Sequence, residues 1–234
     1  MYIDYINCIQ NEYIDDFINY LKQLITPRRF ERFENVLNRR LEHLVVVFEN
    51  VYQEHNASAI IRTCDGFGIQ YIYVIENKNR FKPNEGISLG AEKWVDIIHY
   101  QGDNAVKKLY DNLRAQGRII IATALSENAK NVREIIINKP VAVVFGTEKE
   151  GLTKEAINLA DICVYIPMEG FVDSFNVSVS AAIILEILTQ KLEKAGFKRG
   201  LPNNEKKRLL IEWILKTVND PNKVIQNYLK SKNL

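Results

Sequence analysis

Cysteine is scarce in this 234-residue chain: Cys8, Cys64 and Cys163 are odd in number, widely spaced and form no CxxC pair. That argues against a disulfide framework or a zinc knuckle and for free thiols in a reducing compartment. His43, His55 and His99 are isolated, so no metal site is expected. Long apolar runs are missing too. No segment reaches the roughly 18 uninterrupted apolar residues that span a bilayer, so no membrane partner is expected. The first residues, MYIDYINCIQNEYIDDF, are acidic and lack a basic stretch followed by an apolar core, unlike a secretory signal. The expectation is a cytoplasmic protein. Glycine is absent from ENVYQEHNAS, the stretch after the first strongly apolar run. A dinucleotide-binding turn needs glycines at that place. GTEKEGLT is not a phosphate-binding P-loop, because Gly151 is followed by Leu152 rather than by lysine. No G-x-S-x-G elbow occurs either.

What the chain does have is an ordinary globular balance, 47% hydrophobic and 26% charged residues. Net charge is +2, but basic character gathers near both ends. Residues 28–42 hold Arg28, Arg29, Arg32, Arg39 and Arg40 against three glutamates, and residues 191–208 hold seven Lys or Arg against two glutamates. TPRRFERFENVLNRRLEHL reads as a helix with Thr26 as N-cap and Pro27 in the first turn. At about 100° per residue, Arg28, Arg32 and Arg39 share one side and Phe30, Phe33 and Leu37 the other. The segment before it, with Tyr2, Tyr5, Ile6, Tyr13, Ile14 and Phe17, reads as one more packed helix.

From residue 44 onward strands and helices alternate. LVVVFEN is a continuous apolar run, as a buried parallel strand should be. NASAIIRTCDGFG reads as a helix, IQYIYVIE and WVDIIHY as strands, DNAVKKLYDNLRAQG as a helix, and RIIIATAL as a strand. VREI would begin a short turn or helix. VAVVFG is a strand, TKEAINLA a helix capped by Thr153, and DICVYIP a strand. Helices follow Asn176 and over NNEKKRLLIEWILKTV. This is an α/β fold on a parallel sheet. Polar residues then collect at the C-terminal ends of the strands, where such sheets bind ligands. They are Asn56 and Arg62 after the first strand, Thr123, Gly146 with Glu148, and Met168 with Ser174 and Asn176. Singly, each could be a helix cap, a turn or a solvated charge.

Three blocks, HNASAIIRTCDGFG, VVFGTEKEGLTKEAI and IPMEGFVDSFNVSVSAAI, resemble the three motifs of the SpoU-type RNA ribose 2′-O-methyltransferases. The resemblance runs from about residue 26 to about residue 218, and is strongest to the subgroup acting on guanosine 18 in the D-loop of tRNA. It implies a SPOUT fold with a C-terminal trefoil knot, a form periodicity cannot reveal, flanked by N- and C-terminal helices. The implied domains are residues 1–43, 44–195 and 196–234. It implies S-adenosyl-L-methionine as cofactor, held by Thr123 to Leu125, Gly146 to Gly151, and Ile166 to Asn176. Ile166 and Met168 would face the adenine and Phe175 would line the same site. It implies a homodimer in which Arg62 and the cofactor come from different subunits.

Arg62 would activate the ribose hydroxyl, Asn56 would position it or the substrate, and Glu148, Ser174 and Asn176 would orient cofactor and ribose. An arginine is a poor base, so base and electrostatic stabiliser both stay open as its role. Many relatives carry Gln or Glu where this chain has Asp173. Arg28, Arg32 and Arg39 are expected to contact tRNA phosphates. Two rivals remain. An rRNA ribose methyltransferase usually carries a globular N-terminal domain, for which the 43 residues before the first strand are few. A noncatalytic RNA-binding protein would not need Asn56, Arg62, Glu148, Ser174 and Asn176.

Overall fold

The computed structural model describes residues 11–51, 53–77 and 84–232. In chain order they form α1 (Ile14–Lys22), α2 (Pro27–Leu37), β1 (Leu44–Glu49), α3 (Glu54–Phe67), β2 (Tyr71–Ile75), α4 (Glu85–Ser88) and β3 (Asp96–Tyr100). Then come α5 (Ala105–Ala115), β4 (Ile119–Thr123), β5 (Lys130–Asn131), β6 (Val141–Phe145), α6 (Lys154–Leu159), β7 (Ile162–Tyr165), α7 (Val177–Lys194), α8 (Asn203–Leu215) and α9 (Pro221–Lys232). They divide into two compact units, one spanning Leu41–Lys198 and the other built from the residues up to Arg40 together with those from Arg199.

The Leu41–Lys198 unit is a parallel sheet of seven strands in the order β3-β2-β1-β6-β4-β7-β5. β1 is buried along its whole length. Its side chains alternate between faces, as a two-residue period requires. Leu44, Val46 and Phe48 join a core with Ile60, Ile61 and Cys64 of α3 and Ile184, Leu185 and Leu188 of α7. Val45 and Val47 join a second core with Leu109, Tyr110 and Leu113 of α5 and Ala156 of α6. Both faces are covered, which is why LVVVFE reads as an unbroken apolar run.

VREI opens with a turn, one of the two forms expected of it, closed by a bond from Glu134 N to Asn131 O of 2.9 Å. Two features of this unit were not expected. Just before that turn Lys130–Asn131 form β5, an edge strand parallel to β7, continued by a bond from Val132 N to Tyr165 O of 3.0 Å. Asn131 Oδ1 accepts from Arg133 N at 3.0 Å, an Asx turn that stops the strand after two residues. Asn56 is not a helix cap: Gln53 holds that position and Asn56 lies inside the first turn of α3.

In the other unit, Thr26 caps α2 by accepting from Arg29 N at 3.3 Å, with Pro27 as first helical residue. The helix stops at Leu37 rather than running through NRRLEHL. Backbone groups of Arg39 and Arg40 instead pair with the 199–200 segment: Arg40 O accepts from Gly200 N at 2.7 Å and Arg39 O from Arg199 Nη1 at 3.1 Å. Arg40, counted above in the basic stretch 28–42, is 0% exposed, with its guanidinium 5.1 Å from the Trp213 ring centroid. α1 buries Phe17 and Leu21 as expected for a packed helix, while Tyr2, Tyr5 and Ile6 lie outside the described residues. α9 is an addition to the expected elements. Asp220 Oδ1 accepts from Lys223 N at 3.1 Å and Pro221 opens the helix, an Asp-Pro start placed just beyond the last anticipated segment.

Candidate active site

A cavity of about 340 Å³ opens at the C-terminal ends of β4, β6 and β7. The three loops leaving those strands build it. Thr123 and Leu125 follow β4, Gly146 to Leu152 follow β6, and Ile166, Met168 and Asp173 to Phe175 follow β7. Thr123, Leu125, Gly146, Gly151, Ile166, Met168 and Phe175, the cofactor residues expected from sequence, all line it, as do Glu148 and Ser174. Thr123 Oγ1 donates to Val144 O at 2.9 Å and so ties the end of β4 to β6.

The β6 loop is tightly constrained. Thr147 and Gly151 exchange two backbone hydrogen bonds, each 3.0 Å, and Thr147 Oγ1 accepts from Glu150 N at 3.0 Å. Gly151 sits at φ +68°, a left-handed conformation open to glycine. Gly146 needs glycine for another reason: a Cβ there would lie 2.2 Å from the Gly151 carbonyl carbon. The loop ends at Thr153, which caps α6 by accepting from Ala156 N at 3.2 Å.

Beside the cavity, three side chains from distant segments converge. Asn176 Nδ2 donates to Glu148 Oε1 at 2.7 Å and to Asn56 Oδ1 at 3.1 Å. Asn56 Nδ2 donates to Glu148 Oε1 and, at 2.7 Å, to Gln53 Oε1. Asn176 Oδ1 meanwhile caps α7, accepting from Ser178 N at 2.8 Å and Ser178 Oγ at 2.6 Å. Every amide hydrogen of the two asparagines is used, which fixes both side chains and leaves the Glu148 carboxylate oriented by α3 and α7 together. Gln53 was not anticipated. Its signal is its spacing, one turn before Asn56 on the same helix face.

Arg62 stands apart. It is exposed, does not line the cavity, and makes no hydrogen bond or ion pair among the described residues. Six residues of helix put it about 240° around the α3 axis from Asn56. Asn56 turns into the site and Arg62 turns outward.

In the other unit Arg28, Arg32 and Arg39 line one groove with Glu31, Asn35 and Val36. Arg39 keeps this face although it lies past the helix end. Phe30, Phe33 and Leu37 are buried on the opposite side. The second basic stretch is largely held internally. Lys206 donates to Asn38 Oδ1 at 2.8 Å, Lys207 pairs with Asp15 at 2.6 Å, and Arg208 pairs with Glu205 at 2.6 Å and Glu212 at 2.9 Å. Within the sheet unit Lys191 donates to the Arg133 and Ile135 carbonyls, both at 2.8 Å. Lys194 and Lys198 remain exposed. Among the described residues no group of three or more His, Cys, Asp or Glu could hold a metal ion, and no helix is long and apolar enough to cross a membrane.

Residues 43–186 match the SpoU rRNA Methylase family. The tRNA (guanosine(18)-2′-O)-methyltransferase of Borreliella burgdorferi is 36% identical over 217 residues, covering 93% of this chain and 95% of that one. The enzyme of the same name from Aquifex aeolicus is 39% identical over 201 residues, 85% of this chain and 94% of that one. The crystal structure of the A. aeolicus TrmH/SpoU tRNA modifying enzyme superposes with a TM-score of 0.74 at 37% identity, over 82% of this chain and 98% of that chain. The SpoU methyltransferase AviRb from Streptomyces viridochromogenes, crystallised in complex with AdoMet, shares the fold at a TM-score of 0.57 and 22% identity, over 67% of this chain and 62% of that chain. Two motif blocks and the loop after β4 gathered on one cavity, a family match over most of the sheet unit and relatives aligned nearly end to end agree: the chain belongs to the SpoU rRNA methylase family.

Proposed function

We propose that this protein methylates the ribose 2′-hydroxyl of guanosine 18 in the D-loop of tRNA, using S-adenosyl-L-methionine. The observation that carries the proposal is the convergence of the three loops on one cavity, with the Asn56–Glu148–Asn176 cluster at its side. The tRNA (guanosine(18)-2′-O)-methyltransferase relatives support the choice of nucleotide.

The cavity fits the cofactor. About 340 Å³ lies within the usual range of small-molecule sites, roughly 300–1,000 Å³. Glu148, Glu150 and Asp173 line it against a single lysine, Lys149, which suits a ligand carrying sulfonium and ammonium charges. When bound, S-adenosyl-L-methionine supplies an electrophilic methyl group. Ile166, Met168 and Phe175 would enclose the adenine side, and the backbone of Gly146 to Gly151 would support the remainder. Glu148, Ser174 and Asn176 would orient the ribose, held in register by Asn56. Arg62 then activates the hydroxyl. A guanidinium is a poor proton acceptor, so its part is to steady the developing alkoxide with fixed positive charge while the hydroxyl proton passes to a neighbouring substrate phosphate or to water.

The outward position of Arg62 supports a composite site, in which a homodimer brings the Arg62 of one copy to the cavity of the other. The knot expected from the family, with α7 packed at the subunit interface, belongs to the same proposal, as does a cytoplasmic location. The unit formed by the two chain ends would grip tRNA through the Arg28–Arg32–Arg39 groove, since arginine forks suit phosphate oxygens.

The function is tested by incubating purified protein with unmodified tRNA transcript and labelled cofactor, then mapping the product. A 2′-O-methyl mark at guanosine 18 is the expected result, and transfer to rRNA fragments alone would overturn the tRNA assignment. The groove has its own test. Replacing Arg28, Arg32 and Arg39 by alanine lowers tRNA affinity and reduces the slope of log affinity against log salt by up to about three. Unchanged affinity and slope would make them ordinary solvated residues.

A further inference from the structure

We infer that Glu49 is a positioning residue for the cofactor site: from the end of β1 it clamps the 146–153 loop in the shape that receives S-adenosyl-L-methionine. The inference rests on the reading of the cavity as the cofactor site.

Glu49 is a carboxylate closing an otherwise apolar strand, and it is 2% exposed. A carboxylate so placed is costly unless its oxygens are bonded. Here both oxygens are committed to one distant residue. Oε2 accepts from Thr153 N at 2.8 Å and Oε1 accepts from Thr153 Oγ1 at 2.6 Å, a link across 104 positions of sequence. Thr153 already caps α6 through its own hydroxyl, and α6 has only six residues. A buried ion is more than that short helix requires.

Register explains what the ion adds. Phe48 pairs with Phe145, so Glu49 stands one step further, level with Gly146. Glu49 is thus beside the start of the loop through the sheet and bonded to its end through Thr153. Between those two points lie Glu148, Gly151 and Leu152, all lining the cavity, and Ile157 of α6 lines it just beyond. Tyr110 completes the surroundings. Its hydroxyl donates to Ala156 O at 3.3 Å, and burial together with the Glu49 charge raises its phenol well above the ordinary range. No part of Glu49 is among the residues lining the cavity, so its influence runs through the loop.

The test compares wild type with Glu49→Gln and with Thr153→Ser and Thr153→Ala. Titration calorimetry with S-adenosyl-L-methionine is paired with transfer kinetics on tRNA. Hydrogen bonds to a charged group are worth about 1.5–3 kcal/mol, so Glu49→Gln and Thr153→Ala should each raise cofactor Kd and KM about tenfold or more. kcat at saturating cofactor and KM for tRNA should move only a few-fold. Thr153→Ser keeps the hydroxyl and should bind as wild type does. A lowered melting temperature with unchanged cofactor Kd in Glu49→Gln and Thr153→Ala would overturn the inference and leave Glu49 a purely structural residue. Should Glu49→Gln fail to fold, the serine–alanine contrast at Thr153 decides alone. If wild type itself binds no S-adenosyl-L-methionine, the reading of the cavity falls, which is a separate result.

Discussion

Replacing Gly146 by alanine weakens cofactor binding about a hundredfold while the sheet stays folded. The added Cβ would lie 2.2 Å from the Gly151 carbonyl carbon, 2.3 Å from its oxygen and 2.5 Å from Leu152 N. All three are backbone atoms, so no side chain can swing aside. The loop has little freedom to yield, because Thr147 and Gly151 are bonded to each other and Thr153 is bonded to Glu49. Overpacking of this kind costs about 1–3 kcal/mol. The strain falls where the cofactor must sit, so its Kd should rise about a hundredfold. The melting temperature should drop by a few degrees, about 2–4 °C per kcal/mol at this size. Gly66→Ala is the control, since a Cβ there meets nothing within 4 Å. Calorimetry on both variants checks the expectation, and a Gly146→Ala protein binding within a few-fold of wild type would refute it.

Arg62→Ala should bind cofactor normally and lose methyl transfer by about two to three orders of magnitude, the scale of losing a preorganised charge stabiliser. Normal binding follows because Arg62 does not line the cavity of its own chain. A mixing experiment takes this further. Arg62→Ala and Gly146→Ala proteins, each inactive, are unfolded and refolded together. If Arg62 serves the partner's cavity, every mixed dimer has one intact site and one doubly defective site. Random assortment then restores about a quarter of wild-type activity. An arginine serving its own cavity would give the same count of intact sites as either parent, namely none. Silence in the mixed sample, with mixed dimers verified by mass, would sink the composite site.

How far the chain could be read in advance depended on whether the signal was local. The central strands β1 and β6 were legible because both faces are covered and each is a continuous apolar run. Thr26, Thr153 and Asn176 were legible as caps because a cap acts over two or three residues. The seven residues expected to hold the cofactor were picked out through motif resemblance, and they line one cavity because neighbouring parallel strands end at one edge. What escaped was long-range or was mistaken for surface. Glu49 and Thr153 are two unremarkable residues until the sheet aligns β1 with β6. Arg40 looks like one more basic residue until Trp213 covers it. The run 191–208 counts seven Lys or Arg, yet Lys206, Lys207 and Arg208 are engaged with Asn38, Asp15, Glu205 and Glu212. The free arginine face is therefore narrower than charge counting implied. The two-residue β5 falls below the length at which any alternation could announce a strand.

One feature of the unit built from both chain ends bears on how the molecule is made. Phe17 of α1 packs on Tyr228 at 4.6 Å, and Phe33 of α2 on Trp213 at 5.8 Å. During translation α1 and α2 leave the ribosome before the sheet unit, and their aromatic partners Trp213 and Tyr228 leave after it. Chains fold domain by domain as they emerge, so the sheet unit is complete while Phe17, Leu21 and Phe33 still await cover. A chain that has emerged only as far as α7 carries two helices whose apolar faces, with Phe17, Leu21 and Phe33, lack their cover.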